Sequence, residues 1–443
     1  MSDKMLPPKI LEVLGISSSD ELFDEIPEAA RVKGLDLPCG LAESELTAEI
    51  DAILSKNKTM DDMPTFLGGG IYRHFIPALV NEVLSRSEFY TAYTPYQPEA
   101  SQGMLQALFE YQSFMSELTG MDAVNSSMYD WSTALGEAAL MCSRIRHGSR
   151  FLIARSVSPE RKAVLKTYLR GIDAKVQEVS YDRGSGRLDI NDLRSKLGED
   201  VFGVYLENPN YFGVLEEEVD EISSSIGETP FVVGADPLSL AIVRPPSDYG
   251  ADIVIGEGHH LGTGPNFGGP LLGVFGCRKE HIRKMPGRII GSTVDAAGRM
   301  AFCMTLQTRE QHIRRDKATS NICTNEALMA VAANAYLATL GRDKLITIAN
   351  LNVEKAEELS QRISKIAGFY SPIFKGSHFN EFAIGCPKLV DSVGRALIGH
   401  GVHGGIPLKQ DFPELGEAML LAVSELHTEE DLKALVQGLE AIR

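Results

Sequence analysis

Apolar residues change their spacing twice along the chain, and the changes divide it into three stretches. Residues 1–65 read as a helical arm. Ser19-Asp20-Glu21-Leu22-Phe23-Asp24-Glu25-Ile26 supplies a capping hydroxyl, an acidic first turn and apolar side chains four apart at Leu22 and Ile26. A second helix is predicted over 44–55, where Leu46, Ile50, Ile53 and Leu54 recur at helical spacing until Lys56-Asn57-Lys58 ends the pattern. Over 66–335, short β-branched or aromatic runs alternate with helical stretches, the pattern of an α/β fold with a mostly parallel sheet. Strands are expected at 151–154, 175–179, 201–206, 231–234, 252–255 and 271–275, with helices at 105–118, 133–146, 158–169 and 190–197. Residues 336–443 read as a small α+β domain: a helix over 346–367, strands at 381–384 and 418–423 around a Gly-rich loop, and a last helix over 428–442. No repeat or low-complexity linker interrupts this order, so the boundary at 330–342 is expected within helices.

Composition narrows the class. With 443 residues and 44% hydrophobic content the chain can bury a large core. A charged fraction of 23% and the lack of any long apolar run argue against disorder and a membrane span. The first ten residues are polar and proline-broken where a signal peptide needs a continuous apolar stretch, so a cytoplasmic address is expected. Sixty acidic against forty-three basic residues leave a net charge of -17, which repels phosphate backbones and anionic membranes. No nucleic acid or membrane partner is expected. Cys39, Cys142, Cys277, Cys303, Cys323 and Cys386 show no metal-like spacing and read as reduced thiols, mostly buried. His400 and His403 have a His-x-x-His spacing but no accompanying carboxylate or thiol, so no metal is expected there either.

Three features in the middle stretch carry chemistry. Gly234-Ala-Asp236-Pro-Leu-Ser239 puts an acid at the end of an apolar strand, after Leu206-Glu-Asn-Pro209-Asn210 has ended the strand before it. Such an acid either caps a following helix or, at the mouth of a parallel sheet, keeps a pyridine nitrogen protonated. The second feature is Asp252-Ile-Val-Ile-Gly-Glu-Gly-His259-His260-Leu-Gly-Thr-Gly-Pro-Asn-Phe-Gly-Gly269-Pro, which resembles the lysine segment of fold-type I pyridoxal-phosphate enzymes. In that family an Asp-headed strand leads to His-Lys and a Gly-rich loop. The lysine position falls on His260, and an imidazole cannot condense with the cofactor's aldehyde, which needs a primary amine. No lysine lies between Asp252 and Lys279 to replace it. The reading is a degenerate half-site, or else a His-His pair of unrelated origin.

The third feature is Ala318-Thr319-Ser320-Asn321, downstream of that loop, where fold-type I dimers carry a threonine that reaches the neighbour's cofactor phosphate. Thr319 and Asn321 at a helix start suit an anion, and equally suit an N-cap for a helix expected over 322–340. With Phe66-Leu-Gly-Gly-Gly70-Ile-Tyr-Arg-His74 and Phe89-Tyr-Thr-Ala-Tyr93-Thr-Pro-Tyr96-Gln-Pro-Glu-Ala-Ser-Gln102, these stretches resemble the N-terminal half of the glycine decarboxylase family over about residues 5–440.

The resemblance implies an aspartate-aminotransferase-like fold and an αβ unit, usually doubled to α2β2, with one working site per pair. It implies pyridoxal phosphate held covalently by a lysine-bearing second subunit, not by this chain. Glycine would lose its carboxylate as carbon dioxide, and its aminomethylene group would pass to the lipoyl arm of H-protein. Thr319 and Asn321 would then serve the partner's phosphate, and Tyr93, Tyr96, Gln97, Ser101 and Gln102 would line the substrate pocket. Arg73 and His74 either approach that shared site or form a solvated turn. His259 either bonds near the half-site or is structural. A stand-alone transferase or desulfurase, and a non-catalytic scaffold subunit, are the rival readings.

Overall fold

Strands β1 (Ala123–Val124), β2 (Arg150–Ala154), β3 (Lys175–Val179), β4 (Val201–Glu207), β5 (Phe231–Ala235), β6 (Ile253–Glu257) and β7 (Gly273–Cys277) form one sheet in a computed structural model that describes residues 7–32, 34–306, 311–320 and 322–442. Their order across the sheet is β1-β7-β6-β5-β4-β2-β3. The run from β3 to β6 is parallel, and β7 is antiparallel to both β6 and β1. Every residue of β4, β5 and β6 is buried, which is why these strands read as unbroken apolar runs. All six predicted strands are present within two residues at either end. Helices Gln102–Thr119, Trp131–Ile145, Pro159–Leu169 and Ile190–Lys196 match the four predicted between them, and Val219–Ile226 adds a fifth.

An antiparallel hairpin of β8 (Ile289–Val294) and β9 (Met300–Thr305) was not expected from the pattern. Two glutamines of helix Gln102–Thr119 hold it. Gln102 donates to the Phe302 carbonyl at 2.8 Å and accepts from the Phe302 N–H at 2.9 Å, and Gln112 brackets Ile290 in the same way, both at 2.9 Å. Each side-chain amide thus pairs one residue as a neighbouring strand would.

The small domain has β10 (Glu381–Gly385), β11 (Ile406–Pro407) and β12 (Ala418–Ala422) in the antiparallel order β10-β12-β11, with helices Val390–Gly399 and Glu429–Ile442. Residues 65–67 join this sheet, not the large one: the Phe66 N–H donates to the His403 carbonyl and the Ala422 N–H to that of Phe66, both at 2.9 Å. The start expected for the large domain, residue 66, therefore falls inside a small-domain pairing. A long helix, Ala327–Ile363, crosses the expected boundary and breaks at Gly341, whose φ of 63° and ψ of -179° suit glycine.

The chain divides into two compact units, one up to Asp62 and one from Met63. In the first, helix Pro8–Leu14 ends on left-handed Gly15, Ser18 caps the 3-10 turn Ser19–Phe23 where Ser19 was expected to, and the second helix spans Glu43–Leu54. No helix among the described residues is long and apolar enough to cross a membrane. All six cysteines are free, but only Cys142 and Cys277 are buried; Cys303 and Cys386 are intermediate, and Cys39 and Cys323 exposed. The expectation of mostly buried thiols is corrected accordingly.

Gly213 is where the chain leaving β4 meets β10. Its φ is 78°, it accepts from the Phe379 N–H, and a Cβ there would lie 1.9 Å from the Glu381 carbonyl oxygen. A Gly213→Ala variant is expected to lose roughly 1–3 kcal/mol from backbone strain alone, with more from the clash. A lowered urea midpoint checks this; an unchanged one refutes the packing described.

Candidate functional site

Strands β5 and β6 are adjacent and parallel, with Ala235 opposite Gly256, so the residues that follow them emerge side by side at the carboxyl end of the sheet. Asp236 follows β5. It accepts the Leu238 N–H at 2.8 Å, so the local capping role read from sequence is present, but its side chain also faces His260, with Oδ1 3.5 Å from Nδ1. Burial pushes the Asp236 carboxyl up, yet His260 and His74 outweigh it and hold the group below the usual carboxylate range. Glycine at 234 is required here, because a Cβ would meet the Tyr205 hydroxyl at 2.3 Å and the Trp131 ring at 2.7 Å.

Glu257 ends β6. Its Oε1 accepts the N–H groups of His259 at 3.1 Å and Leu272 at 2.8 Å, and its Oε2 that of Trp131 at 3.3 Å. Burial raises this carboxyl too, but His259 and these donors prevail and hold it below the usual range. Burial, then the neighbouring His260, pushes His259 down despite Glu257.

Aromatic rings fill the space around His260. Tyr72 stacks on it with centroids 4.9 Å apart and planes at 23°, His74 meets it edge-on at 4.7 Å, and His259 lies at 4.1 Å. Tyr72 donates to Asn380 Oδ1 at 3.2 Å, and His74 Nδ1 is 2.8 Å from Glu425 Oε2. The solvated-turn expectation for His74 is corrected: it is only 6% exposed, within this chain's own half-site. Arg73 is exposed.

Beside these rings lies a cavity of about 250 Å³ lined by Gly68, Gly69, Gly70, Asp130, Trp131 and Arg161 among others. Arg161 Nη1 is 3.1 and 3.2 Å from the Glu207 oxygens, and its guanidinium sits 3.8 Å over the Trp131 ring. Trp131 donates to the Tyr205 hydroxyl at 2.9 Å, which donates to Glu207 at 3.0 Å.

The other sequence-predicted residues stand apart from this cluster. Tyr93 and Tyr96 are 76% and 54% exposed on the loop before helix Gln102–Thr119, Gln97 is exposed and Ser101 half-buried. Gln102 is committed to β9, which leaves its amide little to offer a substrate. Thr319 is half-buried, and Asn321 lies outside the described residues. The N-cap expected of Thr319 is corrected: the helix begins at Ala327 behind Glu326. Residues 324–326 are held out of it by bonds to Tyr129, Ser126 and Ser127 at 3.1–3.3 Å. His400 ends helix Val390–Gly399, and the His403 backbone pairs with Pro64 and Phe66.

The Glycine cleavage system P-protein family matches residues 3–439. The chain belongs to that family.

Among curated P-protein relatives, the probable glycine dehydrogenase (decarboxylating) subunit 1 of Thermococcus onnurineus (strain NA1) is 48% identical, with 98% of this chain and 97% of that one covered. The protein of the same name from Carboxydothermus hydrogenoformans is 45% identical over 97% and 96%. A crystal structure of glycine decarboxylase (P-protein) of the glycine cleavage system, in inhibitor-bound form, aligns with a TM-score of 0.91 at 39% identity, covering 98% of this chain and 97% of that one. A cysteine desulfurase from Thermococcus onnurineus NA1 aligns at 0.63 and 17% over 86% and 96%, a likeness of fold alone. The fold is that of fold-type I pyridoxal-phosphate enzymes. In this P-protein chain the residues at the corresponding site do not fit the cofactor: position 260 offers no primary amine, and an imidazole faces Asp236.

Sequence reasoning missed Tyr72, Asp130, Arg161, Glu257 and Glu381. Tyr72 and His74 alternate in the quoted Phe66–His74 run, and that period of two was the available signal for a buried extended segment.

Glu381 underlies this segment. It accepts the Gly69 N–H at 2.5 Å and the Gly70 N–H at 3.3 Å. Burial pushes its carboxyl up to about 8, although those N–H groups and Arg161 oppose the rise. The folded chain therefore keeps a proton that the unfolded chain releases near pH 4.3, and this group's contribution falls as pH rises from there to about 8. A Glu381→Gln variant should lose that part of the slope. Thermal midpoints of both proteins between pH 5 and 8.5 check it, and parallel curves would refute it.

Proposed function

We propose that this chain is subunit 1 of a two-chain glycine decarboxylase, glycine dehydrogenase (aminomethyl-transferring), active only with a lysine-bearing second subunit that holds pyridoxal phosphate. The observation that carries the reading is the histidine at position 260, buried to 2% exposure and packed among Tyr72, His74 and His259. A chain that cannot bind the cofactor covalently, yet keeps the whole fold, contributes through what it presents to another chain. When bound in the partner, the cofactor supplies the electron sink for loss of glycine's carboxylate as carbon dioxide. The aminomethylene group then goes to the lipoyl arm of H-protein.

This chain's part is to complete and enclose the partner's pocket. The Tyr93 and Tyr96 phenols and the Gln97 amide, exposed here, would orient glycine's carboxylate, with Ser101 at the base of the loop and Gln102 anchoring its end to β9. The Thr319 hydroxyl, with Asn321, would ligate the partner's cofactor phosphate. Phe267 supports an outward-facing role for the Gly-rich loop: it is fully exposed at φ 59°, next to Asn266 at φ 38°, a strained pair with its ring in solvent. An αβ pair doubled to α2β2 in the cytoplasm completes the proposal.

Given pyridoxal phosphate and glycine, the isolated chain should show neither the absorbance of a covalently bound cofactor nor carbon dioxide release, and both should appear when the second subunit is added. A covalent adduct on the isolated chain would sink the reading. In the reconstituted complex, Thr319→Ala should weaken cofactor retention by roughly 1–3 kcal/mol, as expected for a lost bond to a charged acceptor. Unchanged retention would remove Thr319 from the site. Activity that survives Tyr93→Phe and Tyr96→Phe together with Thr319→Ala would favour a scaffold role instead.

A further inference from the structure

We infer that the half-site in this chain is closed to phosphorylated aldehyde cofactors by carboxylates at its phosphate end and by the packed Tyr72 and His74 rings as well as by the residue at 260, so that restoring a lysine at 260 does not by itself restore binding. The inference rests on reading position 260 as the lost lysine position.

The phosphate's place is closed by carboxylates. Helix Trp131–Ile145 starts at the carboxyl end of the sheet, and the N–H groups of its first turn would ordinarily hold an anion there. Asp130 Oδ1 already takes the Thr133 N–H at 2.6 Å and its hydroxyl at 2.9 Å, and Glu257 Oε2 takes the Trp131 N–H at 3.3 Å. Both carboxylates line the cavity, as does Glu160, and each repels a phosphate dianion. Arg161 does not compensate, because its charge is matched by Glu207 and its face is covered by Trp131.

The ring's place is closed by aromatic side chains. A pyridine bound to Asp236 would have to lie where His260 now sits, 3.5 Å from that carboxylate, with Tyr72 stacked on it and His74 across its edge. Neither Tyr72 nor His74 swings away freely, since Asn380 and Glu425 hold them from the other side. The amine's place is closed by His260 itself, which has no nitrogen able to condense with an aldehyde. The space is thus taken by the protein's own groups, although the ring nitrogens of His259 and His260 find no hydrogen-bond partner in it, and the lost lysine is one of several changes.

The test uses the complex with its second subunit, incubated with pyridoxal phosphate, reduced with borohydride and digested, with the adduct at position 260 quantified by mass spectrometry against the partner's adduct as internal standard. His260→Lys should be labelled at least about tenfold less than the partner at concentrations that saturate the partner. His260→Lys combined with Asp130→Ser and Glu257→Gln, which keep a helix cap and an acceptor in place, should gain at least about tenfold in label over His260→Lys alone. His260→Lys with Glu257→Gln alone should gain in the same direction, and serves if the triple variant does not assemble. Full labelling of His260→Lys would overturn the inference, as would no gain in either opened variant that still assembles. A reduced adduct on the wild-type chain would instead sink the subunit reading.

Discussion

One buried carboxylate organises the centre of this molecule. Glu257 satisfies backbone N–H groups from three segments: the first turn of helix Trp131–Ile145, the turn into His259, and Leu272 at the approach to β7. Buried N–H groups without partners cost about 1–3 kcal/mol each, so this one side chain removes a cost that all three segments would otherwise carry. Its ionisation, maintained against burial by His259 and those donors, makes the arrangement self-consistent. The same charge stands where an anion would otherwise enter.

That constraint separates two tasks which a symmetric enzyme of this fold performs in every subunit. The inner site is occupied by the protein's own rings and carboxylates and ties Asn380 and Glu425 of the small domain to the end of the large sheet through Tyr72 and His74. Tyr93 and Tyr96, by contrast, are exposed on a loop outside it. A filled interior under exposed loops agrees with the role proposed for this chain.

How much was legible followed from where each signal is encoded. The parallel strands were readable because burial on both faces forces continuous apolar runs. The β8–β9 hairpin was not: Ser292 and Thr293 break its pattern, and Gln102 and Gln112, which hold its strands, lie 200 and 178 residues away in sequence. Thr319 suited a helix start by residue type, but Ser126, Ser127 and Tyr129 bond residues 324–326, and the helix starts only at Ala327. The half-buried and exposed cysteines escaped notice because exposure depends on packing that spacing does not record.

Sequence by itself determined that position 260 cannot bond an aldehyde, since that is a property of one side chain, and that an acid at 236 follows a buried strand. Only the tertiary structure decided what fills the vacated place. Trp131 meets Glu257 across 126 residues and His74 meets Glu425 across 351, contacts fixed by the order of strands in the sheet and by the return of residues 65–67 to the small domain. A local pattern carries a residue's chemistry and its periodicity, whereas neighbours so far apart in the chain are set by how the layers close.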